Sequence, residues 1–166
     1  MKHLKSLLFA AALFIGATSF VDAQSKIAHI NTQSLIEAMP EFKTAQAEID
    51  KLGKTFEATI QGSLKELETK LQQYDGEAAA QTDETNMKRM EEVEGMKQSL
   101  TQYRQEAQKK LEEQRFNLLK PITEKAKAAI EKVAAAQNID YVLEASGLII
   151  ARGKDLIADV KAEMGI

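Results

Sequence analysis

The chain has 166 residues, no cysteine, 22 Lys and Arg against 25 Asp and Glu, and a formal charge of -3. That balance gives no basic surface for nucleic acid, and a chain without cysteine cannot lean on disulfides. Glycine, proline and aromatic residues are scarce beside Ala, Glu, Lys, Gln and Leu, a mix that favours long helices or coiled coil.

The first 23 residues, MKHLKSLLFAAALFIGATSFVDA, have the layout of a secretory signal peptide. Lys2 and Lys5 form a positive start, Leu7 to Ile15 an apolar run, and Val21-Asp22-Ala23 a cleavage site with small residues. The apolar run is short for a membrane span of roughly 20 residues. Cleavage is expected after Ala23, leaving an exported chain that starts at Gln24 with a net charge near -4, since Lys2, Lys5 and Asp22 are removed.

KIAHIN (26–31) is a short β-prone run, and TQSLIEAMPEF (32–42) opens helix. Ser34 with Glu37 predicts a capping box, and Pro40 suits the first turn of a second, longer helix. Phe42, Ala45, Ile49, Leu52, Phe56, Ile60, Leu64, Leu67, Leu71, Tyr74 and Ala78 then recur at three- and four-residue steps, a narrow seam on one helical face. The seam lapses at GEAAAQTDET (76–85), where Thr82 or Asp83 can cap a new helix with an acidic first turn. A second seam is read through Met87, Met90, Val93, Met96, Leu100, Tyr103, Ala107, Leu111 and Leu118. Two such seams flanking a turn predict an antiparallel helical hairpin with arms of roughly 60 Å. Pro121 is expected to interrupt the descending arm, leaving PITEKAKAAIEKVAAAQ (121–137) as a third helix.

After Gln137 the texture changes. Ile139, Tyr141 and Leu143 alternate with polar residues as in a half-buried strand. Ala145-Ser146-Gly147 supplies a tight turn, and LIIAR (148–152) is expected to return as the partner strand of a β-hairpin. Asp155 then caps a last helix. With KIAHI joining from the other end, the fold expected is α+β: a long helical hairpin on a small three-stranded sheet. The division is 1–23 signal peptide, 24–40 and 121–166 body, and 41–120 arm. A body of about 60 residues buries little surface, and its sheet leaves open edges, so copies are expected to associate. A ring of three that closes a barrel would remove the edges, and two or four copies also satisfy the argument. Ile27, Ile139, Tyr141, Leu143, Leu148, Ile149 and Ile150 are the candidate interface residues.

No pattern for chemistry accompanies this layout. His29 is the one histidine after the leader and has no partner with which to complete a zinc site. Carboxylates stand at helical spacings beside lysines, as solvated pairs do, and no phosphate loop or nucleophile motif is present. No cofactor is expected, and the chain does not read as an enzyme. Tyr74, Met87, Met90 and Met96 near the hairpin tip, with Tyr103 further down, are candidates for contact with varied apolar partners, because methionine side chains are flexible and polarizable.

The opening KIAHINTQSLIEAMPEFKTAQAEIDKL and the ending NIDYVLEASGLIIARGKDLIADVKAEM, around a long hairpin, closely resemble the Skp/OmpH family of periplasmic chaperones. The resemblance implies a homotrimer in which a β-barrel body carries three helical arms around a cavity. By the same resemblance the cavity is expected to hold unfolded outer-membrane proteins without ATP. One feature departs from the strongly basic members of that family. Lys70 to Met96 holds three cations against seven carboxylates, a net of -4, which counts against contact of the tips with anionic membrane or lipopolysaccharide. The alternative reading is a structural coiled-coil adaptor or spacer in the envelope that binds one folded partner.

Overall fold

A computed structural model describes residues 26–166. The expected signal peptide and its cleavage site lie outside the described residues. Strand β1 (Ile27–Ile30) is followed by α1 (Thr32–Ala38), α2 (Pro40–Glu77) and α3 (Asp83–Ala136). Strand β2 (Tyr141–Glu144), β3 (Lys154–Asp155) and α4 (Ile157–Met164) complete the order. Mostly helical, with one small sheet, the chain is the α+β architecture its patterning predicts. Among the described residues no helix is long and apolar enough to cross a membrane.

The body is assembled from pieces far apart in sequence. Ala28 and Ile30 point from β1 into a core with Leu35, Met39 and Ala45 from the start of the hairpin. Ile122, Ala126 and Val133 enter from α3, and Leu156 and Val160 from the chain end. Ile30, Leu35, Met39, Leu156 and Val160 are fully buried. Between α1 and α2 the chain turns at Met39, and Pro40 starts α2 where its missing N–H costs nothing, as expected. The cap of α1 falls three residues earlier than the Ser34 box. The Asn31 side chain accepts from Ser34 N at 2.8 Å, because β1 ends at Ile30 and the turn must begin there.

The sheet corrects the expected β-hairpin. Its order is β2-β1-β3, and both neighbours run parallel to β1, with Ile27 opposite Tyr141 and His29 opposite both Leu143 and Asp155. LIIAR is not a strand: residues 148–152 belong to the connection from β2 to β3. Because these strands flank β1 and point the same way, the chain must run back between them. It returns beside His29, where a β-carbon on Gly153 would stand 3.8 Å from Nδ1, and it leaves Ile149 and Ile150 in solvent. The cap of α4 is Leu156, one residue after the expected Asp155, which closes β3 and whose carboxylate accepts from Ile157 N at 2.9 Å.

Pro121 does not interrupt α3. The helix runs 54 residues through it. Proline in a helix interior costs about 3 kcal/mol, but Leu118, Leu119, Ile122 and Ala126 on either side are anchored in the body core. Asn117 and Pro121 face solvent, so water can serve the carbonyl that loses its partner. The helix stops instead at Asn138, which adopts a left-handed φ of 54°. Ile139 N donates to Ala134 O and Asn138 N to Ala135 O, the Schellman pattern.

Leu35→Ala should destabilise the chain by about 3 kcal/mol, because the side chain is fully enclosed and leaves a cavity. Leu71→Ala, on the arm and 43% exposed, should cost less than about 1 kcal/mol. Urea unfolding of the two variants, followed by circular dichroism, measures the difference.

Candidate functional site

The arm is two helices thick, so each helix can bury only the stripe that faces the other. Ala45, Ile49, Val93, Leu100 and Ala107 are buried along the shaft. Phe56 meets Tyr103 edge to face, with ring centroids 6.2 Å apart. Gly53, Gly62 and Gly95 lie inside continuous helix, and beyond the adjoining residues and backbone of that helix nothing stands within 4 Å of where their β-carbons would be, so no close approach demands them.

Towards the tip the packing turns polar. Lys70 pairs with Glu92, and Tyr74 OH donates to the same carboxylate at 2.6 Å. Arg89 pairs with Glu77 and lays its guanidinium 4.5 Å from the centre of the Tyr74 ring. Its Nη1 is buried without a hydrogen-bond partner among the described residues, and the electron-rich ring face is the favourable surface beside it. Asn86 Nδ2 donates to Ala78 O at 3.0 Å, and the Thr82 hydroxyl accepts from Thr85 N at 3.2 Å. Thr82 is thus the cap of α3, one of the two expected. Glu77 is held below its ordinary pKa by hydrogen bonds from Gln73 and Arg89, and Glu92 by those from Lys70 and Tyr74.

The five residues singled out on the arm divide into two groups. Tyr74, Met96 and Tyr103 are half-buried, with Tyr74 in the polar lock and Tyr103 against Phe56. Met87 and Met90 are not seam residues; they are 63% and 73% exposed. Arg89 occupies the phase they were assigned, because its stem packs inward while its head finds Glu77 and Tyr74. Phe116, which the seam reading passed over, is 65% exposed, with Lys120 Nζ 5.9 Å from its ring centre. Its signal in the sequence is its phase: Ala107, Leu111 and Leu118 face α2, and residue 116 falls on the opposite side of the helix. Leu71, Tyr74 and Asp75 of α2 face Met90, Glu91 and Val93 of α3 across an open, largely apolar groove.

On the body, alternation along the strands places Ile27, His29, Tyr141 and Leu143 on the sheet face away from the core. Ile27, Tyr141 and Leu143 are exposed, as are Ile149 and Ile150, while His29 is buried. Ile139 and Leu148 are half-buried, and Ile139 packs against the body core. Thr32, through its N–H and hydroxyl, donates to Glu144, tying the start of α1 to the end of β2. Among the described residues no group of three His, Cys, Asp or Glu is placed to hold a metal.

The family model "Outer membrane protein (OmpH-like)" matches residues 26–164. The chaperone protein Skp of Yersinia enterocolitica is 27% identical over 163 residues, covering 95% of this chain and 97% of that one. Skp of Pectobacterium atrosepticum is 27% identical over 164 residues, with the same coverage. The fold is shared with an OmpH-like outer membrane chaperone from Caulobacter crescentus, with a TM-score of 0.75, 15% identity and 88% of each chain covered.

The tip lock should weaken in acid. Glu77 and Glu92 have folded pKa values below their ordinary 4.5. Their pairing therefore contributes fully above that value and is lost as the pH falls through the lower, folded ones. Amide protection at the tip, measured by hydrogen exchange relative to the shaft, should drop over the range below pH 4.5. The Glu77→Gln/Glu92→Gln variant should show a lower, flat tip protection across that range.

Proposed function

The chain belongs to the OmpH-like outer membrane protein family, and from that membership we propose that it is an exported periplasmic chaperone. It holds unfolded outer-membrane β-barrel proteins and keeps them from aggregating, without nucleotide and without catalysing a reaction. The observation that carries this reading is the exposure of Met87, Met90 and Phe116 on an otherwise charged shaft. Large apolar side chains left in water on a thin arm favour transient partners, and methionine adapts to many shapes. Unfolded barrel chains expose apolar residues at alternate positions, which can find such contacts in many registers. Affinity then comes from the number of weak contacts rather than from one pocket.

The oligomer we propose is a homotrimer formed through the sheet. The exposed Ile27, Tyr141 and Leu143 form one apolar face, and Ile149 and Ile150 of the connection from β2 to β3 are exposed as well. The outer edges of β2 and β3 are open to pairing within the described chain. Association covers both and converts three marginal bodies into one larger core. The division at residues 40 and 121 is retained as a division of labour, with the body associating and the arms holding clients. The acidic tips leave anionic membrane and lipopolysaccharide outside the proposal.

Light scattering of the mature protein should return about three times the chain mass. Leu143→Asp, which would place a charge in the shared face, should reduce it to about one chain. An unmutated protein that stays folded at the mass of one chain would overturn the trimer.

Dilution of a urea-unfolded outer-membrane barrel into buffer tests the chaperone reading directly. The protein should suppress turbidity without nucleotide or metal, and should survive any single substitution among Met87, Met90 and Phe116. The variant with all three changed to Ser should protect several-fold less well at unchanged oligomer mass, since none of the three is in the seam or body core. Absence of protection by the unmutated protein, with saturable binding of one folded envelope protein, would favour the adaptor reading.

A further inference from the structure

The tip groove between α2 and α3 combines two features that the general holding of apolar chain does not require together. Its floor and walls are apolar: Leu71 is 43% and Met90 73% exposed, with Tyr74 and Val93 beneath. Its rim carries Asp75, Glu91 and Glu94 against Arg89 and Lys97, a net of one negative charge. The charges around it are unevenly matched. Lys70 stands beside Glu92, Lys88 beside Glu84, Arg89 beside Glu77, and Lys97 beside Glu94. Every cation from residue 70 to 97 is thus already paired within the arm. Asp75, Asp83 and Glu91 have no ion-pair partner among the described residues, and two of these three line the groove.

We propose that this groove docks a cationic amphipathic segment of polypeptide. Apolar side chains of the segment enter between Leu71 and Met90, and its Lys or Arg side chains pair with Asp75 and Glu91. The occupant is fixed by charge complementarity: the groove's cations, Arg89 and Lys97, already stand beside Glu77 and Glu94, whereas Asp75 and Glu91 are unpaired, so a cationic segment gains contacts that an anionic or neutral one does not. The contact rests on the chaperone reading and sharpens it, because it gives the tips a preference among client segments while the shaft remains indifferent. Apolar stretches flanked by basic residues would be caught at the tips, and acidic stretches would be passed over.

Short labelled peptides test this by fluorescence anisotropy with the full mature protein: one alternating Leu and Lys, one alternating Leu and Glu, and one alternating Ser and Lys. The Leu/Lys peptide should bind measurably more tightly than either control. Asp75→Asn/Glu91→Gln should weaken it about fivefold, because two exposed charge contacts are lost. Leu71→Ser/Met90→Ser should weaken it comparably through lost apolar contact. Added salt should weaken the unmutated protein and spare the charge variant. All four positions are exposed or on the groove wall, and circular dichroism should confirm unchanged helix in both variants.

Equal binding by the unmutated protein and the charge variant would overturn the proposal, as would equal binding of the Leu/Glu peptide. Capture of anionic vesicles that depends on Leu71 and Met90 would assign the groove to lipid and overturn it too. A concentration-dependent rise in mass without peptide, removed by the apolar variant, would assign it to a second copy. Turbidity protection of an unfolded barrel is read on the same preparations. Protection without peptide binding overturns the groove alone, and peptide binding without protection overturns the chaperone reading alone.

Discussion

Four residues of β1 hold both ends of the described chain in one place. Its backbone serves β2 on one side and β3 on the other, and its Ala28 and Ile30 side chains reach into the core below. The whole hairpin lies between β1 and β2, so the pairing of Thr32 with Glu144 closes a separation of 112 residues. The entropy of closing a loop grows only logarithmically with its length, and most of that length is stiffened into helix before it returns. A long arm therefore adds little to the cost of forming the base. The same arrangement explains why the base is small: it needs only enough buried surface to clamp two helix ends and two short strands.

The arm obeys a different constraint. Two helices in contact share a single seam, and nothing covers their remaining faces. Apolar seam suits the shaft, where Val93, Leu100 and Ala107 are enclosed. At the tip the chain must turn, and Gly76 to Thr82 offers only small and polar side chains. The Glu77–Arg89–Tyr74–Glu92–Lys70 cluster closes the end with directional contacts instead. Exposed pairs of this kind contribute modestly one by one, but here they share partners and fix the register of the two helices.

Periodicity made the hairpin legible in the sequence. Seams of three- and four-residue steps and a capping threonine are local signals, and the helices, the turn and the start at Pro40 follow from them. Where the reading failed, a non-local contact decided. The two-residue strand Lys154–Asp155 has no apolar pattern; it is a strand because β1 has a second edge to offer. LIIAR has every mark of a strand and is a connection, since parallel strands on either side of β1 demand a return path. Pro121 carries a breaker's signature, and the core contacts of Ile122 and Ala126 outweigh it. Met87 and Met90 show that spacing alone leaves two helical phases open; the choice fell to Arg89, whose ring and carboxylate partners lie on the other helix. Of the candidate residues on the arm, Tyr74, Met96 and Tyr103 therefore went inward, and Phe116 was missed because it matched no stripe.

The absence of a break in α3 has a mechanical consequence. One continuous rod is clamped in the body from Leu118 onward and runs for roughly 55 Å beyond it with only α2 alongside. It is a cantilever. A sideways load at the tip, such as a tethered chain under tension, arrives at the clamp multiplied by that length. The point of greatest bending moment falls beside Pro121, where one backbone hydrogen bond is missing. The core contacts of Leu118 and Leu119 on one side of Pro121 and of Ile122 and Ala126 on the other brace that gap, so the load passes into the body instead of opening a hinge.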